Sequence, residues 1–171
     1  MDFTDIVRRG LHEYTVELRK ALDGLTAKER RFQPTPQSHH IDFALWHLVR
    51  VEDNEINDIA RRTGELWTRG GWYKRLGLPK DESGWGYTPD GVFDLPEFDI
   101  DTMMAYHDAV RQETLAYLDT LTQSVLGTVT RAPGRPGYTI ADMLGHLLVH
   151  GSRHMGQIEY LRGIQRGFAK S

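Results

Sequence analysis

The sequence predicts an all-α fold, a four-helix bundle with one long aromatic-rich crossover between its second and third helices. Three observations predict it. Apolar residues recur at three- and four-residue spacing in four separate stretches, the signature of helices that bury one face. No stretch alternates apolar and polar residues in the manner of a strand. One connection, from Gly64 to Ile100, is far longer than loops within bundles usually are, and it is rich in tryptophan and tyrosine.

The first helix is expected from about Thr4 to Leu22, with Val7, Leu11, Tyr14, Leu18 and Leu22 on one stripe. A polar connection containing Pro34 and Pro36 leads to the second, which begins between Ser38 and Asp42, buries Leu45, Leu48, Ile56 and Ile59, and ends by Gly64. The crossover carries Trp67, Trp72, Tyr73, Trp85, Tyr87 and Phe93, which argue against disorder and for a segment that roofs one end of the bundle. It either simply covers core surface or also lines a ligand pocket. Asp99 or Asp101 caps the third helix, marked by Met103, Val110, Tyr117 and Leu121. The punctuated RAPGRPGYT is a turn in which Arg131 and Arg135 read as solvated. Thr139 caps the last helix, whose inward residues are Met143, Leu147, Ile158 and Leu161.

Bulk properties narrow the function. A chain of 171 residues with 39% hydrophobic content suits a single domain over 1–171. A net charge of -3 with interspersed signs offers no basic surface for nucleic acid or an anionic membrane. No apolar run approaches a membrane span, and MDFTDIVRRG lacks the basic flank and apolar core of a secretory signal, so the expected location is cytoplasmic. With no cysteine there is no thiolate ligand or protein thiol nucleophile, and any metal must be held by imidazole and carboxylate.

Such ligands are present. His146, His150 and His154 recur every fourth residue in the last helix, and His47 in the second is the best third ligand from elsewhere in the chain. With Leu147 at the centre of the apolar stripe and about one hundred degrees per residue, His154 falls roughly twenty degrees from that centre, His150 roughly sixty and His146 roughly one hundred. The inner pair is therefore His150 and His154, with His146 toward the rim. His47 falls roughly one hundred and ten degrees from the middle of its own stripe, at a flank, whereas Glu52 and Glu55 fall inside it. Those carboxylates need partners: a metal, a proton to move, the free N–H of a ligand imidazole, or Arg153. Gln157 is placed to hold an imidazole or a neighbouring helix. His12, His39, His40 and His107 read as solvated or capping residues.

The pairing of WHLVRVEDNEIN with HLLVHGSRHMGQIEYLRG, with LWTRGGWYKRLGLP and AYHDAVRQETLAYL between them, resembles the DinB-like (DinB/YfiT-like) superfamily of four-helix-bundle metalloproteins. The resemblance covers most of the chain. It implies a divalent ion, zinc or nickel, held by His47, His150 and His154, and a homodimer formed through bundle helices. Several relatives are transferases or isomerases that use mycothiol, bacillithiol or glutathione. In the mycothiol-dependent isomerases one last-helix ligand is a carboxylate, whereas this chain has histidine at both positions.

Three neutral imidazoles leave a divalent ion its charge and an open position, the arrangement of a catalytic site. Bound water would become a hydroxide source near a pKa of ~7, and a bound thiol would become a thiolate. The expected activity is metal-assisted transfer of a low-molecular-weight thiol to an electrophilic small molecule, an S-transferase-like reaction. Glu52 or Glu55 would orient a ligand or move a proton, and Arg153 would pair with one of them. The alternatives are a metal-dependent hydrolase on the same histidines, or a metal-binding stress-response protein without turnover, in which His146 or Glu55 fills the open position.

Overall fold

The structure, a computed structural model, describes residues 2–167. α1 (Phe3–Leu22) starts at a capping box in which Asp2 and Asp5 satisfy each other's backbone N–H groups. Its stripe of Val7, Leu11, Tyr14, Leu18 and Leu22 is buried throughout, as the spacing predicts. A one-turn α2 (Ala27–Arg30), itself boxed by Thr26 and Glu29, turns Arg30 inward onto the buried Asp42 at 2.8 Å.

α3 (Ile41–Asp53) is the axis of the molecule. His40 caps it: ring Nδ1 accepts the Phe43 N–H at 3.0 Å while Nε2 donates to the Val92 carbonyl at 3.0 Å. Every residue of α3 is buried, because α1, α7 and α8 cover one side and the crossover covers the other. The helix then widens into a π-helical segment, Asn54–Ala60, and ends with Arg62 at φ 57° and Gly64.

The crossover is ordered and largely helical, containing α4 (Leu66–Arg69), α5 (Trp72–Leu76) and α6 (Pro89–Phe93). Asp53 fixes its start. One carboxylate oxygen accepts Leu66 N–H at 2.9 Å, and the other accepts Trp67 N–H at 2.8 Å and the Tyr106 hydroxyl at 2.6 Å. Trp67, fully buried between Trp46 and Tyr106, completes that end of the core, as the aromatic content of the segment suggested.

α7 (Ile100–Leu118) is capped by Asp99, not Asp101, and a 3₁₀ turn at Gln123–Val125 follows. α8 (Ile140–Arg166) begins at a Thr139/Asp142 capping box. Among the described residues there is no strand, only an isolated bridge between Val129 and Thr139. α8 packs along both α1 and α3, and it lies close to α1 at Gly151, where an added Cβ would lie 2.8 Å from the Tyr14 ring. No helix of the described residues is long and apolar enough to cross a membrane.

Glu52 joins α1, α3 and α7. Its carboxylate accepts from Arg111 Nε and Nη2, both at 2.9 Å, from Thr114 Oγ1 at 2.7 Å and from the Tyr14 hydroxyl at 3.0 Å. Burial alone would raise its pKa, but Arg111 outweighs burial and brings it down to about 2. Full pairing is what makes a buried charge tolerable here.

Candidate metal centre

α3 and α8 bring His47, His150 and His154 together, with one ring nitrogen from each inside a 4.8 Å cluster. The four-residue spacing sets His150 and His154 side by side, edge to face with ring centroids 4.5 Å apart, and the His47 ring is 5.1 Å from both. His47 and His150 are buried and His154 is partly buried. The phase argument for the inner pair of α8 holds, and His146 stays outside the cluster as expected. His47, placed at a flank by its angle, is only 8% exposed because the crossover covers that flank.

The crossover also orients His47. Its Nδ1 donates to the Ser83 carbonyl at 2.9 Å, which leaves Nε2 as a lone pair facing α8. Gly84 makes this approach possible: at φ 82° it adopts a backbone conformation that side chains disfavour, and a Cβ there would sit 2.6 Å from His47 Nδ1. Phe43 lies parallel to the His47 ring at 5.8 Å, and Trp85 meets it edge-on at 5.7 Å.

His47 Nε2 and His150 Nε2 face each other at 3.4 Å. Two nitrogens bound to one tetrahedral ion at about 2.0–2.1 Å are themselves about 3.3–3.4 Å apart, so the spacing suits a shared cation. Burial, reinforced by the neighbouring imidazoles, lowers His150 to about 3 and His154 to about 4, and burial lowers His47 as well. All three rings are therefore neutral donors at physiological pH. The cluster could hold a metal ion, and its chemistry as a donor set fits one.

The remaining candidates surround it. His146 Nδ1 is 2.9 Å from Glu55 Oε1, without the alignment of a hydrogen bond, and its ring is 5.2 Å from that of His150. Glu55 Oε1 accepts from Arg135 at 3.1 Å and from the Tyr138 hydroxyl at 3.2 Å, while Oε2 is buried without a partner. Beside this pair lies a recess of ≈ 390 Å³ that reaches from Glu55 and Val51 to Trp85, Pro133 and Arg135.

Several sequence expectations are corrected. Arg153 is exposed and forms no ion pair among the described residues; Arg111 and Arg135 occupy the carboxylates it was expected to meet. Arg135 is not a solvated turn residue: its guanidinium stacks 4.8 Å over Tyr138 and points at Glu55. His39 is not solvated either, since it stacks on Phe43 at 5.8 Å and lies 6.3 Å from the His154 ring. Gln157 sits beside both of those imidazoles, although its Oε1 and the two Nδ1 atoms lack aligned partners. His107 is 1% exposed, its Nδ1 3.1 Å from Asp108. Sequence reasoning did not find the Ser83 carbonyl or Gly84. The available signal was Gly84-Trp85-Gly86, two glycines around an aromatic residue in a loop.

The model of the DinB superfamily matches residues 11–158. The chain is also similar to the crystal structure of a conserved protein from Enterococcus faecalis, with a TM-score of 0.86 and 22% identity over 96% of this chain and 97% of that one. At that identity the likeness concerns the fold. No curated protein matches the chain.

Proposed function

The chain belongs to the DinB superfamily, and on that premise we propose that it is a divalent-metal enzyme that transfers a low-molecular-weight thiol to an electrophilic small molecule. His47, His150 and His154 would hold zinc or nickel. The observation that carries this reading is the 3.4 Å approach of His47 Nε2 and His150 Nε2 in a cluster whose pKa values are lowered by burial.

When bound, the ion would supply Lewis acidity that favours the thiolate form of a cofactor near neutral pH. That chemistry suits a chain without cysteine, which has no sulfur nucleophile of its own. The reaction is a displacement: the cofactor sulfur forms the new C–S bond, the leaving group departs with the bonding electron pair, and the thiol proton passes to solvent or to Glu55. The Ser83 carbonyl holds the His47 tautomer, and Trp85 and Phe43 exclude water from that ring. Glu55 is the carboxylate at the recess wall. Glu52, saturated by Arg111, Thr114 and Tyr14, contributes by fixing α3, which carries His47.

The test begins with metal content by plasma mass spectrometry on tag-free protein, comparing wild type with His47→Ala and His154→Ala. About one zinc or nickel per chain, lost in both variants, supports the site; turnover of an electrophile such as 1-chloro-2,4-dinitrobenzene is then measured with and without thiol. Equal turnover without thiol would replace transfer by hydrolysis. Stoichiometric metal with no turnover of any electrophile would favour a binding protein.

A further inference from the structure

We propose that Gln157 is a positioning residue of the histidine centre: its side-chain oxygen accepts the Nδ1–H of both His154 and His39, which leaves the Nε2 lone pair of His154 for the ion. The inference rests on the metal-binding part of the reading above and names the group that sets the tautomer of a second ligand.

Three buried polar atoms without an aligned partner belong to neighbouring side chains: His154 Nδ1, His39 Nδ1 and Gln157 Oε1. Gln157 follows His154 by three residues on α8, which puts the two on one face of the helix, and it lies beside both imidazoles. The His39 ring is 6.3 Å from that of His154 and stacks on Phe43 at 5.8 Å, so it is held against the centre without being part of the cluster.

Interiors rarely leave such atoms unpaired, and one small adjustment pairs all three. An amide oxygen has two lone pairs and takes one N–H from each ring. The reversed amide would also pair both rings, its NH₂ donating to two Nδ1 lone pairs. Two observations favour the oxygen. The buried, unpartnered amide atom is Oε1. Burial lowers the pKa of both imidazoles, so each ring holds a single proton near neutral pH. With Nδ1 as acceptor that proton would sit on Nε2, and His154 would have no lone pair to offer beside His47 and His150. His39 then fixes the amide: with a donor from each ring, turning the group over breaks two bonds instead of one. The two sides of the centre thus each have an acceptor, the Ser83 carbonyl for His47 and Gln157 for His154.

The experiment uses the full chain, metal-free and carrying ¹⁵N-labelled histidine, and reads from ¹⁵N–¹H correlations which ring nitrogen bears the proton. Loss of resonances in His39→Phe and His154→Ala assigns the two rings, and zinc affinity is measured in parallel by competition with a chelator. Gln157→Met keeps the length and helix propensity of the side chain without its amide oxygen, and Gln157→Glu keeps an acceptor. In the wild type both His154 and His39 should carry the proton on Nδ1. In Gln157→Met both rings should become tautomer mixtures and zinc affinity should fall about tenfold; in Gln157→Glu both properties should return. A wild-type proton on Nε2 of His154 would overturn the proposal, as would zinc affinity lost in Gln157→Met with the tautomers unchanged, which is the result of a packing role alone. No zinc binding by the wild type would remove the metal reading, and the tautomers of the metal-free chain would still decide whether Gln157 sets the two rings.

Discussion

The Asp53 carboxylate accepts the backbone N–H of Trp67 at 2.8 Å, so the last α-helical residue of α3 holds the first turn of the crossover. The same side chain takes the Tyr106 hydroxyl from α7. The segment that orients His47 through Ser83 is thus anchored to the helix that carries His47.

Replacing that anchor should affect both stability and metal binding. Asp53→Ala strands two backbone donors and a buried hydroxyl, which predicts a loss of about 2–4 kcal/mol in urea unfolding. Zinc affinity should fall as well, because the Ser83 carbonyl belongs to the loosened segment. Normal zinc affinity in a destabilised variant would show that His47 holds its orientation without the crossover.

Arg111→Met leaves the Glu52 carboxylate buried without its cation and should cost about 3–5 kcal/mol. Adding Glu52→Gln should recover part of that loss, since the unpaired charge is then gone. A double variant no more stable than Arg111→Met would mean that packing over Tyr14, not charge, dominates.

His40 predicts a pH dependence. Burial lowers its pKa to about 4 from the ordinary 6.5, and Nδ1 must stay unprotonated to cap α3. Because the folded pKa is depressed, the unfolded chain takes up the proton first as pH falls. This contribution to stability is present above about 6.5 and is lost as pH falls through about 4. His40→Asn keeps a capping acceptor without that titration. Its unfolding free energy should fall less steeply than that of wild type between those pH values, and parallel curves would contradict the assignment.

Gly84→Ala should act on the site more than on the fold. The new Cβ would meet His47 Nδ1 and break its bond to Ser83, while the positive φ adds roughly 1 kcal/mol of strain. Competition with a zinc chelator should show affinity lowered by about tenfold or more. Unchanged affinity would mean that the carbonyl does not set the tautomer.

Much of this architecture could be read from the sequence, and the exceptions share a cause. The α1 stripe, the Thr139 cap and the inward phase of His150 and His154 depend on neighbours within two turns, where helical geometry fixes the answer. The burial of His47 does not, because a stripe argument assumes a helix with one wet side and α3 has none. Glu52 and Glu55 were recognisable as buried carboxylates. Their cations, Arg111 and Arg135, lie 59 and 80 residues away and carry no local mark of pairing. His39 and His107 were missed for the same reason: polar residues enter the interior when tertiary neighbours cover them, and nothing in their own segments signals it. The π-helical segment after Asp53 likewise has no signature in NEINDIA.

The bond between His47 and residue 83 is made by a main-chain oxygen, so the identity of the side chain at 83 is immaterial to it. Its neighbour has no such freedom, since position 84 admits only a residue without Cβ. Substitutions at adjacent positions should therefore be tolerated very differently. A search for this kind of centre that scores histidines alone would pass over position 84, where a Cβ would press on the His47 ring.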